Sequence, residues 1–188
     1  MIVGVFAYIF NSNKDKKRLL AYSHKNHPEK PLLVPGGSIK NNEKPLNALK
    51  REIKEESGLT DIYDIKKLGE ADVISEIADE SVHGHFYRCK TDHDLTEWEH
   101  EVKGQDIDHG MIFKFYWLPP QEALLIHDYY FHVYMRHEYL PDFFTEDSLL
   151  GISNKKISLM PQTDLWKENF EKEMHELKKR IDKAEIEH

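Results

Sequence analysis

The stretch GSIKNNEKPLNALKREIKEESGL, residues 37–59, places Arg51, Glu52, Glu55 and Glu56 within six consecutive positions, directly after a VPGG turn. At about 100° per residue, Glu52 and Glu56 lie one turn apart on one face of a helix, with Glu55 beside them. Three like charges so close repel, and a fold that keeps them must neutralise them with cations. Hard divalent ions with oxygen ligands are the natural choice. Leu46, Leu49 and Ile53 form an apolar stripe about a quarter turn away, so one side can be buried while the carboxylates face an open site. Pro45 stands where the helix begins, and Gly58 closes it.

Around this helix the chain alternates short apolar runs with polar loops. Residues 2–10 and about 17–24 flank the polar NSNKDK and read as a hairpin, and LLVPGGSI is a third short run. Further strands are expected at 72–77, 82–90 and 111–117, with loops between them. Pro119 and Pro120 end the last strand and open a helix in PPQEALLI. The aromatic segment HDYYFHVYMRHEYLPDFF reads as a helix packed on the sheet. This non-alternating mixture of helix and strand indicates α+β layering. Its 188 residues, 39% hydrophobic, suit one core with an appendage. The expected division is a domain over 1–145, then a linker and helix over 146–188. In that helix Trp166, Phe170, Met174, Leu177, Ile181 and Ala184 recur every three or four residues. It either packs back on its own domain or pairs with a second copy in a homodimer.

The spacing of Gly37, Glu43, Arg51, Glu52, Ile53, Glu55, Glu56, Gly58 and Leu59 resembles the Nudix box without a departure. Seven charged or glycine positions match, which by chance at a given register is rarer than roughly 10⁻⁸. A solvated helix face laced with i,i+4 pairs explains neither the PGG turn nor Glu43 at its fixed distance. The resemblance implies a Nudix-type α/β/α sandwich with a mixed β-sheet. It further implies that Glu52, Glu55 and Glu56 bind Mg²⁺ or Mn²⁺, and that Arg51 and Glu43 hold the acidic cluster. Gly37 and Gly58 would allow the flanking turns. Metal ions on clustered carboxylates can bridge a diphosphate and activate a water that cleaves the phosphoanhydride. The base would be Glu56, Glu55 or an acidic residue outside the box, and the loop 92–108 offers Glu97, Glu99 and Glu101.

The family's secondary motifs narrow the substrate. No proline lies between Pro45 and Pro119, where ADP-ribose hydrolases carry one about sixteen residues beyond the box. The NADH pyrophosphatase array, the tyrosine near position 76 typical for diadenosine polyphosphates and the coenzyme A pattern are also missing. A nucleoside di- or triphosphate, or a similar diphosphate-linked compound such as an oxidised nucleotide, is left as the expected small-molecule substrate. The segment EWEHEVKGQDIDHGMIFKFYWLPP resembles a stretch of many bacterial Nudix proteins and carries no substrate information.

The formal charge of −8 argues against general nucleic-acid binding, which needs clustered Lys and Arg. No apolar run approaches the roughly 20 residues that span a bilayer, so no membrane partner is expected. Without a secretory leader or a second cysteine beside Cys89, the expectation is a cytoplasmic protein. His83 and His85 share one strand face with Tyr87 and Cys89, but no third and fourth zinc ligand is evident, so they read as packing or pocket lining. Trp98, His100 and the basic cluster Lys16, Lys17 and Arg18 read as surface or core. Two rival functions are a non-catalytic nucleotide sensor, which a degenerate box would favour, and an isomerase of the isopentenyl diphosphate type, which would need Cys89 as its catalytic thiol.

Overall fold

The structure is a computed structural model that describes residues 2–11, 17–28, 30, 32–75, 80–123, 134–135 and 138–144. Seven strands form one mixed sheet: β1 (Ile2–Asn11), β2 (Arg18–His24), β3 (Gly36–Ser38), β4 (Tyr63–Ser75), β5 (Glu80–Thr91), β6 (Glu97–Glu101) and β7 (Ile112–Leu118). The order is β4-β5-β1-β2-β7-β6, with β3 paired to β1 off this path. β1 and β5 run parallel over ten rungs, from Ile2 opposite Val82 to Asn11 opposite Thr91, and every other pair is antiparallel.

On its other side β1 changes partner along its length. Gly4, Val5 and Phe6 face Ser38, Gly37 and Gly36 of β3, whereas Phe10 and Asn11 face Leu19 and Arg18 of β2. The sheet therefore forks beyond β1, and the turn leading into the acidic helix is stitched into the fork.

That helix, α1 (Pro45–Ser57), begins on Pro45 at its first turn. It ends at Gly58, whose φ of 77° is the left-handed cap conformation and whose N–H bonds Lys54 O. α1 lies on one face of the sheet, where Ala48, Leu49 and Ile53 meet Val5, Ala7, Ile9, Leu20, Tyr22, Phe113 and Phe115. Leu49 and Ile53 are fully buried, each worth about 1.5–3 kcal/mol. The expected stripe needs correction at Leu46, which is 42% exposed, while Ala48 takes its place in the core. Against the opposite face pack Tyr134, Met135, Leu140, Phe143 and Phe144, together with Ala123 of the short helix α2 (Pro120–Ala123).

Other elements depart from the expected ones. β4 starts nine residues early, because residues 63–71 form a polar outer strand whose pairing with β5 is interrupted by irregularities at Tyr63/Lys66 and Lys67/Gly69. β6 lies in what reads as loop. Within the aromatic segment the described residues 134 and 138–144 form turns rather than the expected helix, and the rest of it lies outside the described residues. The expected C-terminal helix and linker, 146–188, also lie outside them.

Candidate active site

Arg51 is the centre of the site. Its Nε and Nη2 donate to the two oxygens of Glu43 at 2.9 and 2.8 Å, a bidentate clamp, and Nη2 also donates to Ser38 O at 2.9 Å. Nη1 donates to Glu52 Oε1 at 2.8 Å and Glu55 Oε2 at 3.1 Å, and lies 3.6 Å from Asp106 Oδ2. Glu43 is itself fixed by the Lys40 N–H at 3.0 Å. The guanidinium holds the Glu43 carboxyl down at about 2, and the carboxylates raise Arg51 still further above its ordinary value.

Glu52 and Glu56 lie on the buried side of α1, 4% and 3% exposed. Burial outweighs the Arg51 contact and raises Glu52 to about 7. Glu56 accepts hydrogen bonds from the Gly36 N–H at 2.8 Å and, at 3.4 Å, from the Tyr22 hydroxyl. Burial, reinforced by repulsion from Glu52 and Asp108, pushes it well above the carboxylate range. Glu55 is more open, with a side chain 21% exposed.

The two box glycines do different things. Gly58 supplies a positive φ, as expected of a turn. Gly37 is a strand residue of β3, and its role is close approach: a Cβ there would stand 2.5 Å from Glu52 Oε1. Gly104, outside the box, repeats the device, since a Cβ would stand 2.8 Å from Glu55 Oε2.

Three groups that sequence reasoning did not select converge on this region. Asp106, from the loop between β6 and β7, brings an oxygen into one cluster with Glu52 and Glu55, all within 4.8 Å of one another. Its Oδ2 is buried without a hydrogen bond and is held only by longer ion pairs, to Arg51 Nη1 at 3.6 Å and Lys40 Nζ at 3.7 Å. The other two groups tie down the last turn of α1, whose terminal carbonyls lack partners within the helix. Trp98 Nε1 donates to Ser57 O at 3.0 Å, and His100 Nε2 donates to Glu55 O at 3.2 Å beside the Lys103 N–H at 2.8 Å. Burial lowers the His100 pKa, in keeping with a neutral ring protonated on Nε2. The alternation of EWEHE, with Trp98 and His100 turned inward, was the available signal.

Glu97, Glu99 and Glu101 do not reach the cluster. They occupy the outward face of β6 in ion pairs with Lys114, Lys25 and Lys103.

The donor set fits a hard divalent cation. Four carboxylates, Glu43, Glu52, Glu55 and Asp106, surround one guanidinium, so negative charge is in excess, and all the available donors are oxygens.

A family model described as the NUDIX domain matches residues 2–139. Comparison with curated proteins gave no match. Among solved structures, a Caenorhabditis elegans Ap4A hydrolase aligns at TM-score 0.53 and 17% identity over 77% of this chain and 99% of its own. The NUDIX domain of Shewanella oneidensis NrtR, complexed with ADP ribose, aligns at 0.54 and 18% over 74% and 88%. A NUDIX hydrolase from Nitrosomonas europaea aligns at 0.52 and 16% over 78% and 93%. At these identities the likeness is one of fold.

Proposed function

The chain belongs to the Nudix family, whose hydrolases act on phosphorus-containing anhydrides, and from that premise we propose that it cleaves a nucleoside di- or triphosphate, or another diphosphate-linked nucleotide, with Mg²⁺ or Mn²⁺. The observation that carries this reading is the sharing of Arg51 Nη1 among Glu52, Glu55 and Asp106, with Asp106 Oδ2 left without a hydrogen bond. Glu52, Glu55 and Asp106 would hold the cation; Glu56, whose carboxyl burial keeps protonated in the metal-free protein, would join them on giving up that proton. When bound, that ion neutralises the phosphoryl oxygens and lowers the pKa of a coordinated water.

The chain's own residues position this chemistry. Glu43 holds Arg51, and Arg51 spaces Glu52 and Glu55. Glu56 is enclosed by Tyr22 and Gly36, whereas Glu55 is partly exposed, so we assign proton acceptance from the attacking water to Glu55. Glu56 ties the helix to β3 through the Gly36 N–H.

The Ap4A and ADP-ribose of the similar structures stand second as substrates, because the sequence markers for both are missing here. The lone thiol, Cys89, supports a cytoplasmic setting. Among the described residues no helix is long and apolar enough to cross a membrane.

The test is a panel of nucleotides and nucleoside-diphosphate conjugates with Mg²⁺, Mn²⁺ or EDTA, products identified by mass. Metal-dependent release of phosphate, pyrophosphate or a nucleoside monophosphate is expected. A panel with no turnover under any metal would refute the assignment and favour the sensor reading.

A further inference from the structure

A second cluster lies further along the same face of the sheet and shares none of the acidic site's residues. Glu70 on β4 pairs directly with His85 on β5, and Asp72 pairs with His83. His83 Nε2 is 3.3 Å from Glu70 Oε2, and His85 Nδ1 is 3.1 Å from Glu70 Oε1. The third ligand that sequence spacing could not supply is thus brought in by the neighbouring strand.

Three observations make this more than an ion pair. First, His83 Nδ1 lies 2.6 Å from Asp72 Oδ1, the arrangement in which a histidine donates its other N–H to a carboxylate and turns the Nε2 lone pair outward. In the ion-free state a doubly protonated His83 bridges Asp72 and Glu70, and an ion at Nε2 would replace the proton that faces Glu70. Second, His85 Nδ1 is buried and makes no hydrogen bond, despite its closeness to Glu70. Third, one ligand atom from each of Glu70, His83 and His85 lies within 4.8 Å of the other two.

We propose that Glu70, His83 and His85 form a site for a borderline divalent ion of the Zn²⁺ or Co²⁺ kind, with Asp72 orienting His83 and solvent completing the coordination. Imidazole donors distinguish it chemically from the all-oxygen acidic site, which suits Mg²⁺ or Mn²⁺. Glu70, His85, Val5 and Gly37 form one row across four strands, so the two sites share a face of the sheet. At about 4.8 Å per strand, His85 is roughly 10 Å from Gly37. Lys67 Nζ, which ion-pairs with Glu70 Oε1, is the competitor an ion must displace, and its exposed side chain is free to swing away. This inference does not depend on the hydrolytic reading.

Zn²⁺ titration of the full chain, with a chromophoric chelator as competitor and Mg²⁺ in large excess to fill the acidic site, tests it. One Zn²⁺ per chain is expected, and Co²⁺ should give visible bands of a histidine-bound ion. The double variant His83→Ala/His85→Ala should lose the site, and Asp72→Asn should weaken it by about 10–100-fold. Lys67→Met should tighten it. The last two variants leave the ligands in place and so remain informative if the double variant misfolds. No stoichiometric Zn²⁺ in the wild type, full binding in a folded double variant, or equal affinities for Asp72→Asn and Lys67→Met would each overturn the proposal.

Discussion

Glu52 lies against the backbone of Gly37 with no room for a side chain between them; a Cβ would stand 2.5 Å from its Oε1 and 2.7 Å from its Oε2. The carboxylate at the centre of the acidic cluster is thus set by a strand residue fifteen positions earlier in the chain.

Gly37→Ala should therefore displace Glu52 while leaving the Arg51–Glu43 clamp intact. We expect kcat/KM to fall by at least about 100-fold, the scale of an ångström-sized misplacement in an active site. Steady-state kinetics decide the point. Wild-type turnover by this variant would mean that the close contact has no part in the reaction.

Asp106→Asn separates cation binding from stability. Since Oδ2 makes no hydrogen bond, unfolding free energy should change by no more than about 0.5 kcal/mol. The Mg²⁺ concentration needed for half-maximal activity should rise tenfold or more. An unchanged metal requirement would remove Asp106 from the cation site.

Glu55→Gln and Glu56→Gln should each lower turnover by several orders of magnitude. In EDTA at pH 8 the melting temperature of Glu55→Gln should stay level or rise, because a charge that repels Glu52 is removed, and that of Glu56→Gln should stay level, because burial keeps Glu56 protonated and Gln still accepts from the Gly36 N–H. If both variants keep full activity, the assignment of these carboxylates fails.

The metal-free protein should lose stability as pH rises through neutrality. Glu52, raised from an ordinary 4.5 to about 7, and Glu56, raised further, favour the folded state while protonated. That contribution is complete below about 4.5 and fades as pH climbs through 7. Glu43, lowered to about 2, acts oppositely: its contribution is present above 4.5 and lost on further acidification. Melting temperatures in EDTA should thus peak on the acid side of neutrality. Excess Mg²⁺ should raise them most at pH 8, and Glu52→Gln should flatten the decline. A metal-free profile that climbs steadily from pH 5 to 8 would contradict the burial of these groups.

What the sequence disclosed follows from distance along the chain. Arg51, Glu52, Glu55 and Glu56 share a single helix, so their helical spacing already brings them together, and Pro45 and Gly58 mark its ends by local chemistry. Asp106 and Gly104 arrive from about fifty residues away, where only the β6–β7 pairing decides which loop residue meets Glu55. The histidine pair had the same difficulty: alternation showed that His83 and His85 share a face, but Glu70 joins them only through strand register. Leu46 shows the converse limit, since periodicity identified an apolar stripe but not where the sheet beneath it stops.

The fork at β1 has one further consequence. Because Gly36 and Gly37 are rungs of the sheet and also touch Glu56 and Glu52, the acidic helix cannot slide or tilt without breaking backbone ladder bonds. The proposed hydrolytic centre is thereby anchored to the sheet itself, and on that reading selectivity among substrates can be altered in the surrounding loops while the acidic cluster stays in register.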